Sequence, residues 1–144
     1  MVACMDARQN IYAVLGLDEG EASVIRNAGG VITDDVIRSL AVSHQLLGTD
    51  EIMLIHHTDC RMLTYPGYRL KEPIRSESGL RPLWPEESFH DVENDVRRSI
   101  SRIKASPYLS HRESVREFVL DIATGLLEEV SSTPSGSRGA LPDR

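Results

Sequence analysis

The chain has 144 residues, 40% hydrophobic and 26% charged, a globular composition at a length where folding buries about 68% of the unfolded surface, so one domain is expected. Sixteen Lys and Arg against 22 Asp and Glu leave a net charge of −6, which argues against nucleic acid and anionic membranes as partners, and no basic patch stands out to offset it. The longest apolar runs, such as 52–55 and 118–120, fall far short of the roughly 20 residues of a membrane span, and no charged start followed by an apolar run marks a signal peptide. A soluble, cytoplasmic protein is expected, in which Cys4 and Cys60, too few for a disulfide framework, stay as thiols.

Residues 2–5 and 23–25 are short, apolar and partly β-branched, and read as strands. Residues 33–47 place Val36, Ile37, Leu40, Ala41 and Leu47 at helical spacing, with Thr33 as N-cap, Asp34 and Asp35 in the first turn, and Gly48 just past the end. A third strand, 52–55, ends in the polar cluster His56, His57, Thr58, Asp59. Residues 64–85, with six Pro and Gly, read as a long ordered loop; 86–104 form a second helix, with Val92, Val96, Ile100 and Ile103 on one face. A late strand, 116–123, turns at Thr124-Gly125 into an antiparallel return over 126–130. Alternating strands and helices imply an α/β fold: a single domain over 1–130, with a mostly parallel four-stranded sheet flanked by helices and an antiparallel edge strand near the C-terminus. Residues 131–144, rich in Ser, Pro and Gly, read as a disordered tail. The sequence begins almost on its first strand, so upstream sequence is expected to be missing.

Cys4 closes the first strand and Cys60 follows the third. If the strand order reverses between these two strands, a crevice opens there, and both cysteines and His57 converge on it. Two cysteines 56 residues apart, taken alone, are more often buried small hydrophobes than ligands. Their neighbours favour a metal: two thiolates and an imidazole are a zinc set that leaves a fourth position open. By the strand period of two, Asp6 and Arg8 lie on the same side as Cys4, so Arg8 can hold Asp6 by a bidentate pair. Asp6 then either accepts a hydrogen bond at the open position or closes it as a ligand.

Cys4-Met5-Asp6-Ala7-Arg8, then Arg26-Asn27-Ala28-Gly29-Gly30, then His57-Thr58-Asp59-Cys60, in this order and with a helix between the latter two, resemble the β-class carbonic anhydrases. The likeness spans 2–130 and is greatest to the small bacterial branch that carries His56-His57-Thr58-Asp59-Cys60. It implies one zinc ion per chain on Cys4, His57 and Cys60, a catalytic Asp6–Arg8 dyad, and a homodimer or dimer of dimers. The activity it implies is reversible hydration of carbon dioxide to bicarbonate and a proton. Hydrolysis of carbonyl sulfide or carbon disulfide on the same ligands, or a non-catalytic zinc or thiol-sensing role, are the alternatives. The sequence departs from the family in one place, Arg61 standing where Gly normally follows the second cysteine, and the helical segment that precedes the family's first strand is expected to be missing from it.

Gly29 and Gly30 are expected along the floor of the cleft, in contact with ligands or substrate through their backbone, or else as no more than a flexible turn. Asp59 is expected to cap the turn carrying Cys60. His56, facing away from its neighbour, is expected to pack or hydrogen-bond elsewhere, and His44 to be a surface or packing histidine. Tyr65, Tyr68 and Trp84 are read as solvent-facing packing, with a lid or a subunit contact as the other reading.

Overall fold

The computed structural model describes residues 1–65, 67–87 and 91–130. From β1 (Val2–Cys4) the chain passes through α1 (Ile11–Leu15) to β2 (Ile25–Asn27), a 3-10 turn (Ala28–Gly30) and α2 (Asp34–Leu47). Then come β3 (Ile52–His57), α3 (Arg61–Thr64), α4 (Tyr68–Ser78), α5 (Val92–Ala105), β4 (Val115–Leu120) and β5 (Leu127–Glu129). The sheet runs β2-β1-β3-β4-β5, with β5 antiparallel to β4 and every other pair parallel. This is the α/β architecture expected, four parallel strands and an antiparallel edge. Among the described residues no helix is long and apolar enough to cross a membrane.

Helix α2 forms where the sequence signals it. Thr33 Oγ1 accepts from the Val36 N–H at 3.3 Å, Asp34 and Asp35 complement the positive end, and Gly48 ends the helix in left-handed backbone at φ 70. Its apolar stripe, Val36 and Leu40, packs with Ile103 of α5 against Val2, Ile52 and Leu54 on one face of the sheet. Ile11 of α1 packs with Ala3, Ile55 and Leu120 on the other face. Each large aliphatic side chain buried this way contributes about 1.5–3 kcal/mol. His44 is buried and packs edge-on against His111, ring centroids 5.5 Å apart.

The structure moves several expected boundaries. The second strand lies at Ile25–Asn27 rather than 23–25, and β3 runs on to His57 instead of stopping at residue 55. Helix α5 starts at Val92 rather than residue 86, after Glu87 has turned the backbone left-handed at φ 53. The fourth strand, expected over 116–123, spans Val115–Leu120, and its return, expected over 126–130, spans Leu127–Glu129. Residues 64–85 are not one loop, because α4 occupies Tyr68–Ser78 with Pro73 inside it. Proline has no N–H for the carbonyl four residues back, that of Arg69, and the Tyr65 hydroxyl donates to this carbonyl at 2.7 Å. The short helices α1 and α3 lie outside the sequence expectation altogether. The expected tail, 131–144, lies outside the described residues, as do Pro66 and His90.

Candidate metal centre

Three elements end together. Cys4 closes β1, His57 closes β3, and Cys60 is the N-cap residue of α3. The convergence follows from topology: β1 lies between β2 and β3, the chain order reverses there, and the strands' carboxyl ends leave a crevice. The turn from β3 into α3 brings Cys60 back to His57 through Asp59, whose left-handed φ of 54 an Asp tolerates better than most residues. The two sulfurs and a ring nitrogen of His57 lie within 4.8 Å of one another, and all three residues are buried.

His57 Nδ1 lies 2.8 Å from the Thr58 carbonyl. A carbonyl can only accept, so Nδ1 carries a proton, and Nε2 is left facing the Cys4 sulfur with no nitrogen or oxygen partner. A hydrogen bond from Cys60 pushes the Cys4 thiol down to about 4, against the effect of burial; His57 and the Asp6 and Gly29 N–H groups add to the fall. Cys60, which gives its proton to that bond and is itself buried, is pushed up. The pair therefore holds one negative charge in a crevice, next to an imidazole nitrogen without a conventional partner. This donor set fits a zinc ion with one position left open. Among the described residues no other three His, Cys, Asp or Glu side chains converge in this way.

The segment after β2 forms the floor. The Gly29 N–H donates to Cys4 Sγ at 3.3 Å. Gly30 sits at φ 65, and a Cβ there would lie 2.9 Å from the Cys4 nitrogen and 3.0 Å from the Ala3 carbonyl carbon, so only glycine lets the floor approach β1 this closely. Asn27 closes the turn from its side chain, donating to the Val31 carbonyl at 2.8 Å and accepting from the Val31 N–H at 3.0 Å. Val31, Met62, Leu63 and Val92 pack around the two cysteines.

On the open side, Arg8 grips Asp6 with two parallel bonds, Nε to Oδ1 at 3.0 Å and Nη2 to Oδ2 at 2.8 Å, and the Arg8 N–H also reaches Oδ1 at 2.9 Å. These donors hold the Asp6 carboxyl well below the usual carboxylate range. The same guanidinium reaches across 51 residues, donating to Asp59 Oδ2 at 2.7 Å and to the Asp59 carbonyl at 3.1 Å. The Asp59 carboxylate thus contacts Arg8, and among the described residues no N–H of its own turn donates to it, so the expected cap is not formed.

The structure brings together all eight residues singled out in the sequence: Cys4, Asp6, Arg8, Gly29, Gly30, His57, Asp59 and Cys60. Arg61 is exposed, and after Arg8, which is the main cause, it adds to the lowering of the Asp59 pKa. His56 turns elsewhere, as expected, to two buried carboxylates: Nε2 lies 3.0 Å from Glu117 Oε1 and Nδ1 lies 3.5 Å from Asp95 Oδ2. Sequence reasoning missed both acids, which carry no motif, and it missed the side chain of Arg26. That guanidinium donates to the carbonyls of Cys4 at 2.9 Å, Asp6 at 2.6 Å and Gln9 at 3.2 Å. The available signal was a cation at the carboxyl end of an edge strand flanking the crevice.

Residues 1–84 match the family model described as carbonic anhydrase. The chain is 56% identical over 131 residues to β-carbonic anhydrase 1 of Mycobacterium tuberculosis, covering 91% of this chain and 80% of that one. The carbonic anhydrase of Streptococcus mutans superposes with a TM-score of 0.84 at 39% identity, covering 90% of this chain and 79% of that one. A carbon disulfide hydrolase of Acidithiobacillus thiooxidans is 30% identical over 145 residues, covering 87% of this chain and 73% of its own. With these likenesses, and with two thiols and an imidazole gathered where the strand order reverses, the chain belongs to the β-carbonic anhydrase family.

Proposed function

We propose that the chain catalyses the reversible hydration of carbon dioxide to bicarbonate and a proton, with Cys4, His57 and Cys60 holding one zinc ion. The observation that carries this reading is the convergence of those donors on one buried point beside an Asp6 carboxylate braced by Arg8. Bound zinc supplies Lewis acidity, lowering the pKa of coordinated water from about 15.7 to about 7. Asp6 accepts a hydrogen bond from the attacking water and aims its lone pair at the substrate carbon. Arg8 keeps that carboxylate ionised and fixes its direction by bidentate contact. Val31, Met62, Leu63 and Val92 give the crevice an apolar wall, which suits a linear apolar gas and limits competing water. The released proton passes to buffer.

Hydrolysis of carbon disulfide or carbonyl sulfide is supported less well, since relatives named for carbon disulfide are 27–40% identical against 56% for the β-carbonic anhydrase of Mycobacterium tuberculosis. A zinc-storing or thiol-sensing role has no use for the Asp6–Arg8 pair. The reading extends to a cytoplasmic enzyme, whose thiols stay reduced, and to a homodimer or dimer of dimers, for which exposed Leu80, Leu83 and Trp84 offer contact surface. Stopped-flow hydration of carbon dioxide by zinc-loaded protein tests the activity, and a rate no greater than that of buffer would refute it.

A further inference from the structure

We propose that Arg26 is a positioning residue for Asp6 and Cys4, its guanidinium clamping the Cys4–Gln9 loop in the shape that the reaction uses. The inference rests on the hydratase reading. Residues 5–10 belong to no helix or strand. Backbone bonds from Met5 N–H to the Asn27 carbonyl and from Gln9 N–H to the Asp6 carbonyl do little to fix so short a segment. Two of its carbonyls, those of Asp6 and Gln9, and that of Cys4 just before it, instead converge on the one side chain of Arg26.

A guanidinium offers five N–H donors in a rigid plane, so it fixes three acceptors relative to one another; the ammonium of Lys, a point charge on a flexible stem, cannot. Asp6 is consequently held at both ends, its carboxylate by Arg8 and its carbonyl by Arg26. The loop is stayed from both flanks of β1, by Arg26 on β2 and by the Arg8–Asp59 contact on the turn after β3. Without Arg26 the Asp6–Arg8 pair would persist, but it would lose its place relative to Cys4. A displacement of about 1 Å in such a group is enough to lower turnover about a hundredfold.

A residue that merely stabilises the fold would weaken every function alike, whereas one acting through Asp6 loses its effect once Asp6 is disabled. We would make Arg26→Met and Arg26→Lys in the wild-type and Asp6→Asn backgrounds and measure kcat/KM for hydration by the zinc-loaded proteins. Arg26→Met should lower kcat/KM about 10- to 100-fold in the wild-type background. In the Asp6→Asn background the same change should alter it by no more than about twofold. Arg26→Lys should be intermediate. Arg26 borders a cavity of about 490 Å³ lined also by Ala7, Asn10, Tyr12 and Val24, so millimolar guanidinium should restore part of the activity of Arg26→Met where an equal sodium salt does not. As a readout independent of turnover, zinc transfer to a coloured chelator should be faster from Arg26→Met than from wild type, because the Cys4 carbonyl is released. Losses that multiply in the double variant, or wild-type kcat/KM and zinc release in Arg26→Met, would overturn the proposal. Should Arg26→Met fail to fold, Arg26→Lys carries the same comparison. A wild-type protein that does not hydrate carbon dioxide refutes the proposed function instead, and the zinc-transfer rates then decide the clamp alone.

Discussion

Replacing His56 by Leu removes the imidazole that stands between two buried acids, Asp95 and Glu117. Asp95 and Glu117 are 4% and 1% exposed, so both carboxyls are held away from bulk water. Removing one partner from a buried ionic cluster costs about 3–5 kcal/mol, because the charges left behind remain desolvated. Since 1.4 kcal/mol is tenfold, that is a fall of two to three and a half decades in the folded-to-unfolded ratio at pH 7. The loss should depend on pH in a definite direction. Burial pushes both carboxyls above their ordinary value, and His56 opposes that rise in each, so its removal lets them climb further. On acidification from pH 7 the folded variant takes up protons on these carboxyls before its unfolded chain does, so the part of the deficit that the two carboxyls carry should shrink until the ordinary carboxylate range is reached. Urea unfolding followed by far-UV circular dichroism at pH 7 and pH 5 measures this. A loss under about 1 kcal/mol at pH 7, below the range for a broken buried pair, would refute the reasoning.

Cys4→Ser or Cys60→Ser should abolish zinc binding, which metal analysis of the purified proteins would register as near-zero occupancy; full occupancy in either removes that residue as a ligand. Asp6→Asn should retain zinc and lose hydratase activity about 10- to 100-fold, and unchanged turnover at pH 8 would take Asp6 out of the mechanism. Gly30→Ala should destabilise the fold by about 1–2 kcal/mol from its left-handed backbone alone and weaken zinc binding, since the new methyl meets the Cys4 backbone nitrogen; a chelator competition equal to wild type would count against the close approach. Arg61→Gly should leave turnover and zinc content unchanged, because the side chain is exposed, and a large fall in the plateau rate would show that it serves the site.

What could be read from the sequence depended on whether the signal was local. Helix α2 announces itself because Thr33, Asp34 and Gly48 act on the chain within one turn of where they stand. Strand β3 was read two residues too short because His56 and His57 look like a polar stop. They continue the strand only because Glu117, Asp95 and the cysteines, all distant in sequence, receive them. Pro73 hid α4 for a similar reason, since the group that satisfies the Arg69 carbonyl sits on Tyr65, before the helix begins. The eight site residues were legible because their spacing in three motifs survives without the fold. The Asp6–Arg8 pair and the convergence of Cys4, His57 and Cys60 were legible too, but the reach of Arg8 to Asp59 and of Arg26 to three carbonyls was not, because it depends on long side chains crossing between strands, which no periodicity records.

The Arg8 guanidinium also makes the crevice sensitive to ionic strength, and unevenly so. Its two partners differ in solvent contact, Asp6 at 17% side-chain exposure and Asp59 at 81%. Mobile ions screen charge over about 10 Å at 0.1 M salt and about 3 Å at 1 M, and they act most on the pair that water already surrounds. Rising salt should therefore loosen Arg8 from Asp59 while its bidentate hold on Asp6 persists. The strand end carrying Cys4 and the turn carrying Cys60 would then lose their cross-brace at the mouth while the dyad stays whole. In a cell whose osmolarity swings, the mouth of the crevice would soften before its chemistry changed.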